Sequence, residues 1–297
     1  MTARSMTTSP IGAQKALVLK GMQLSMLVRT KARIDLKSPT CIYSLCETLG
    51  VAVRFNDINM EGMYDQKPKP RIHVSALRPL VRRNFTCAHE LGHHLLGHGS
   101  TIDELQDEQS KHSNRPPNEV LADAFASFVL MPTLGLREAF TRRGLDPNTA
   151  SASDIYAVAC NFGVGQATIV NHMAYGIDMI TAVQRATLGR ITPKMIRTEL
   201  LGETVSEPLT VADQYWNSPT LDAEEGALLL LPTGVVVDTG ILMPERDLAK
   251  GRLFRTLKPG ITRVVIPGTP WATYVRVARR QYIGLARYRH LEDSTDE

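Results

Sequence analysis

The chain is poor in several features that would fix its class at once. Only four of its 297 residues are cysteines, Cys41, Cys46, Cys87 and Cys160. They are too few and too scattered for a disulfide framework or a paired-cysteine zinc ribbon. Reduced, mostly buried thiols are the expectation. Aromatic residues make up just 6% of the sequence. No run of about 18 uncharged apolar residues exists, so no membrane-spanning helix is expected. Met1 to Gln14 lacks the apolar core and small-residue cleavage site of a signal peptide. These absences point to a cytoplasmic protein. There is no internal repeat and no low-complexity segment.

What remains is the composition of an ordinary globular protein, 43% hydrophobic and 22% charged, with a net charge of +4. The length allows two domains, or one domain with an appendage. Charge is unevenly spread: residues 1–40 carry seven Lys or Arg against one Asp, while 290–297 are acidic. A basic start can touch nucleic acid, but a solvated leader to a first helix is the simpler reading.

Local patterns divide the chain into an α-rich part and a β-rich part. A leader, 1–13, precedes a helix expected over Gln14 to Ala32. Ser38-Pro39 is expected to open the next helix and Gly50 to close it. Val51–Phe55 and Arg71–Ala76 read as strands around a loop, 56–70. Pro79 introduces a long helix, Leu80 to Leu96, stopped by Gly97. A polar, irregular stretch follows from Gly99 to Arg115. Pro116-Pro117 then opens a helix to Met131, and further helices run to about Ile177. Beyond the boundary, short strands are expected at 227–231, 235–238, 263–266, 272–278 and 282–288, with Pro-Gly turns among them. The fold class is therefore α+β. An α-rich unit with a small sheet spans 14–150, a further helical subdomain 151–180, and a β-rich domain of unknown role 181–297.

Chemistry concentrates in His89-Glu90-Leu91-Gly92-His93. On a helix, residues i and i+4 share one face about 6 Å apart, so His89 and His93 can reach one Zn²⁺. Glu90 is turned off that axis and suits a catalytic base acting on a metal-bound water. Two imidazoles and a carboxylate on a half-buried helix need a shared partner. His94 is rotated about 100° from His93, and His98 lies beyond the Gly97 stop. A third histidine six residues after His93 is excluded, because that position is Gly99. Glu119, near the start of the following helix, is the better third ligand. Asp123, one turn on, can accept the outer N–H of a metal histidine and fix its tautomer.

At this point the sequence resembles the ImmA/IrrE metallopeptidases over about Ser38 to Ile177. The resemblance rests on Arg83-Asn84-Phe85-Thr86-Cys87-Ala88-His89-Glu90-Leu91-Gly92-His93. It rests also on Glu119-Val120-Leu121-Ala122-Asp123-Ala124-Phe125-Ala126 with Leu130-Met131-Pro132 after it. It implies a zincin-like domain with His89, His93 and Glu119 as ligands and Glu90 as base. It further implies a zinc endopeptidase that cleaves a helix-turn-helix repressor, derepressing stress-response or mobile-element genes. Mn²⁺ or Fe²⁺ could also occupy a His₂Glu set. The competing expectation is a non-proteolytic regulator, either an anti-repressor or a DNA-binding factor.

A helix-turn-helix frame does fit Val158 to Ile169. Yet residues 153–175 contain no Lys or Arg, and phosphate contacts supply much of the affinity of DNA-reading helices. Direct DNA binding is not expected. The strand Arg71–Ala76 could pair its edge with an extended substrate.

Overall fold

The computed structural model describes residues 10–103, 116–238 and 240–291. The fold is α+β, a helical part with a small sheet followed by a β-rich part. Helix α1 (Pro10–Lys31) lies along helix α4 (Pro117–Leu130). Its one fully buried cation, Arg29, donates to the carbonyls of Val129 (2.6 Å) and Asp35 (2.6 and 3.0 Å) and of Ser38. Burial lowers its pKa to about 10, against the opposing pull of Asp35, so it remains charged at neutral pH. Arg29 thereby supplies donors to carbonyls that would otherwise lack partners in the interior.

Helix α2 (Ile42–Thr48) begins three residues later than Ser38-Pro39 suggested. Ser38 is instead held in a turn by Asp35, which accepts from the Ser38 amide (2.7 Å) and hydroxyl (2.6 Å). After α2 come strands β1 (Ala52–Asn56), β2 (Gly62–Asp65) and β3 (Arg71–Ser75). Strand β2 falls inside the stretch expected to be a loop. Its sequence, Gly-Met-Tyr-Asp, has little strand character, but Tyr64 is fully buried and Gly62 permits a close approach to the next helix.

Helix α3 (Leu80–Leu96) occupies the predicted range. Gly97 ends it in the left-handed conformation (φ 68°), its N–H closing onto the last turn. Strand β4 (Thr101–Asp103) follows, within the stretch expected to be irregular; 104–115 lie outside the described residues. The first sheet has the order β13-β1-β3-β2-β4, where β13 is Gly284–Leu285. Strand β3 is therefore internal, paired with β1 on one side and β2 on the other. This corrects the expectation that Arg71–Ala76 offers a free edge. Among the described residues the outer strand on that side is β4.

Helix α4 starts at Pro117 and ends at Leu130, before Pro132. Its packing on α3 centres on Gly92. A Cβ there would sit 3.1 Å from the Phe125 ring, 3.2 Å from Ala122 Cα and 3.4 Å from the Ala122 carbonyl oxygen. Any larger side chain would push the two helices apart. The buried thiols of Cys46 and Cys87 lie 3.7 Å apart on the opposite side of α3, between it and α2.

Helices α5 (Thr133–Arg142), α6 (Ala152–Asn161) and α7 (Gln166–Asn171) complete the expected set, followed by a π-helical turn at His172–Gly176. Helical structure then continues past Ile177, in α8 (Ala182–Gly189) and α9 (Pro193–Leu201). Both start at threonine caps, Thr181 accepting from the Gln184 amide and Thr192 from that of Met195, and Gly202 stops α9. Each buries little apolar surface (Leu188 in α8; Ile196 and Leu201 in α9). Among the described residues no single helix is long and apolar enough to cross a membrane.

The β-rich part contains two sheets. One orders β5 (Leu209–Val211), β7 (Leu228–Leu231), β10 (Gly251–Thr256) and β9 (Leu242–Leu248) side by side. The other orders β6 (Thr220–Glu224), β12 (Ala272–Ala278), β11 (Gly260–Val265) and β8 (Val236–Val237). Strand β7, four consecutive leucines, is buried on both faces. Leu229 and Leu231 pack into a core shared with the second sheet, while Leu228 and Leu230 pack with Ala157 of α6 and Leu201 of α9. A continuous apolar run is the signature of such a doubly covered strand. Strands β9 and β10 escape a hydrophobic-pattern reading because β9 is mostly exposed and contains Pro244, which an edge strand tolerates. The expected strand 282–288 contracts to β13 and a 3₁₀ turn, Ala286–Tyr288.

Charged residues join the two parts. Asp222 on β6 accepts two hydrogen bonds from Arg276 (2.6 and 2.7 Å) and one from Arg289 (3.0 Å) in the C-terminal segment. Burial would raise its pKa, but Arg289 and the other positive neighbours prevail and hold it well below the carboxylate range. Arg83 on α3 pairs with Glu224 at 2.5 Å, and Arg143 grips Asp213 with two 2.8 Å hydrogen bonds.

Two stability outcomes follow. Gly92→Val is expected to lose about 1–3 kcal/mol through overpacking against Phe125 and Ala122, read from the denaturant midpoint. Asp222→Asn leaves Arg276 and Arg289 without their countercharge and is expected to cost about 3–5 kcal/mol. Unchanged unfolding midpoints would contradict these two accounts.

Candidate metal centre

The Gly92 contact sets the site by bringing two helical faces together. His89 and His93 stand one turn apart on α3; Glu119 and Asp123 stand one turn apart on α4. His89 Nε2 and His93 Nε2 are 3.0 Å apart. Glu119 straddles them, Oε2 at 3.2 Å from His89 Nε2 and Oε1 at 3.3 Å from His93 Nε2. In a tetrahedral zinc sphere with bonds of 2.0–2.1 Å, ligand atoms are roughly 3.3 Å apart. The three edges match that spacing, and the donor set of two imidazoles and a carboxylate suits a divalent cation. Both histidines are buried, while Glu119 is partly open to solvent.

The outer nitrogens are oriented as well. His89 Nδ1 lies 2.8 Å from Asp123 Oδ1, a spacing at which the imidazole N–H donates to the carboxylate. That tautomer leaves the Nε2 lone pair facing Glu119 and His93. His93 Nδ1 lies 2.9 Å from His98 Nδ1. Burial, and next the proximity of His93, lower the pKa of His98, so its neutral ring can accept the His93 N–H. Glu119 is held well below the ordinary carboxylate range, chiefly by hydrogen bonding to His89 and then to His93, and is ionised at neutral pH.

Glu90 is fully buried beside this cluster. Its Oε2 accepts a 2.7 Å hydrogen bond from the Thr101 hydroxyl on β4. Strand β2 passes directly over it: a Cβ on Gly62 would lie 2.5 Å from Thr86 Cγ2 and 3.0 Å from Glu90 Oε1. Glycine at 62 is what lets the sheet cover the carboxylate without displacing it. His94 is turned elsewhere, its Nδ1 accepting from the Tyr64 hydroxyl at 2.6 Å.

The structure thus gathers His89, His93, Glu119 and Asp123, with Glu90 adjacent on α3. Thr101, Tyr64 and the role of His98 were not anticipated. No motif marks Thr101, which reaches Glu90 from a three-residue strand, or Tyr64, which meets His94 away from the ligand face of α3. His98 follows the helix stop, and only the left-handed turn at Gly97 swings it back onto His93.

Among curated proteins, none matches the chain. The sequence model of the Peptidase_M78 family, described as the IrrE N-terminal-like domain, matches residues 46–171. That span runs from α2 through α7 and contains every residue of the cluster. With the fold and the His₂Glu group in place, residues 46–171 match the IrrE N-terminal-like domain of the Peptidase_M78 family, the family that the ImmA/IrrE resemblance pointed to.

Proposed function

We propose that the protein is a metal-dependent endopeptidase that cleaves a helix-turn-helix transcriptional repressor, relieving repression of stress-response or mobile-element genes. The observation that carries the catalytic part is the convergence of His89, His93 and Glu119 beside the buried carboxylate of Glu90. His89, His93 and Glu119 are the metal ligands in this reading, and zinc is the metal best suited to them. A bound divalent ion supplies Lewis-acid polarisation of the scissile carbonyl and lowers the pKa of water towards ~7.

The chain's own residues do the rest. Glu90 takes the proton of the attacking water and returns it to the leaving amine. The Thr101 hydroxyl fixes one oxygen of that carboxylate, so the base keeps a single orientation. Asp123 and His98 hold the ligand imidazoles in the tautomer that directs Nε2 inward. Strand β4, outermost on its side among the described residues, is positioned to pair with an extended peptide. The repressor as substrate comes from the family resemblance. A directly DNA-binding function gains no support from α7, which lacks Lys and Arg and turns Gln166, Ile169 and Val170 into the interior.

Glu90→Gln should retain metal yet fail to cleave a co-expressed helix-turn-helix repressor that the wild type cuts, as read by mass spectrometry after incubation. Cleavage at the wild-type rate would refute the assignment. Glu119→Ala should lose its metal by elemental analysis; full occupancy would place the third ligand elsewhere. His98→Ala and Asp123→Asn should weaken metal affinity by about 10–100-fold, measured by competition with a chelating dye.

A further inference from the structure

A cavity of about 460 Å³ lies between the helical part and the β-rich part, away from the metal cluster. Its walls come from the start of α2, the first turn of α3, the α6–α7 turn, α9, and strands β5 and β6. That volume falls within the range of small-molecule sites, which favour junctions of this kind. The lining is mainly apolar, with Ile42, Val81, Phe162, Leu209 and Trp216 among the contributors.

Its polar groups are unevenly matched. Asp222 and Glu224 reach the wall, but each is neutralised by arginine: Asp222 by Arg276 and Arg289, Glu224 by Arg83. Arg197 also lines the cavity. Among the described residues it forms no ion pair; its guanidinium meets the Tyr156 hydroxyl, but its Nε is buried without an acceptor. Gln166, only 4% exposed, also lines the cavity, and neither its amide nitrogen nor its oxygen has a protein partner. Buried polar groups are costly until they find partners. One guanidinium and one amide donor match a single carboxylate, which arginine recognises through paired N–H groups. A phosphate dianion would leave a charge unmatched beside Asp222 and Glu224.

We propose that this cavity binds a small apolar molecule bearing one carboxylate, its acid group on Arg197 and Gln166 and its body against the apolar wall. The ligand would touch Leu80 and Val81 in the first turn of α3, two turns before His89. The carboxylate could come from an aliphatic or an aromatic acid, and the same assay distinguishes them. The full chain is titrated with decanoate and with 2-naphthoate, by calorimetry and by the fluorescence of Trp216, with 2-naphthamide as the uncharged counterpart. Binding needs neither metal nor peptidase activity, so its result stands apart from the reading of the metal cluster.

Saturable binding of one acid per chain is expected for at least one of the two. Arg197→Gln should weaken it tenfold or more while leaving 2-naphthamide unchanged. Val81→Trp, which fills the cavity from a partly exposed position, should remove it, with thermal unfolding confirming that the variant is folded. Absence of saturable binding for both acids, or wild-type affinity in both variants, would overturn the proposal.

Discussion

Helices α3 and α4 cross where Gly92 lies against Ala122 and Phe125, and the distances from the two histidines to Glu119 and Asp123 depend on that approach. His89 and His93 are directed by one helix, Glu119 and Asp123 by the other. Nothing covalent relates the two pairs, so only packing sets the gap. A side chain at position 92 would widen it by a fraction of an ångström, enough to disturb the 3.2 and 3.3 Å contacts of Glu119 with the two histidines. Close-packed interiors transmit such shifts instead of absorbing them. The glycine in the His-Glu-Leu-Gly-His segment is thus as much a part of the site as its histidines.

Around this crossing, buried polar groups fix the directions that packing leaves free. Arg29 bridges the segment after α1 to the end of α4 through carbonyl contacts. Asp123 and His98 select tautomers, and Thr101 orients Glu90. Arg83 extends the pattern outwards, since it lies two turns before His89 on α3 and pairs with Glu224 of the β-rich part. The helix that presents His89 and His93 is therefore in direct electrostatic contact with the second part of the molecule.

Much of this was legible in the sequence, for identifiable reasons. Helix α3 has a proline before it and a glycine after it, with a strong apolar period between, and its predicted limits hold. The i, i+4 spacing of His89 and His93 and the acidic pair Glu119 and Asp123 are geometric statements about helices, so they carry over into space. Strands β2 and β4 were hidden because their stability comes from tertiary cover and pairing, not propensity. Helices α8 and α9 were hidden because they bury so little. The expected free edge at Arg71–Ala76 failed because pairing order depends on non-local partners, and β2 could not be seen to flank it.

Strand β13 adds a consequence for how the molecule is made. It closes the first sheet by pairing Leu285 with Arg54 and Gly284 with Phe55, across some 230 residues of sequence. During synthesis, the β1 edge must wait until the chain has been extended past residue 285. An unpaired strand edge is a template for wrong partners, and domains fold in order as they emerge. The helical part can collapse early around α3 and α4, but its sheet is sealed only after both later sheets have been translated. The molecule thus couples completion of its metallopeptidase-type unit to the arrival of the β-rich part, as a matter of chain order and not of affinity.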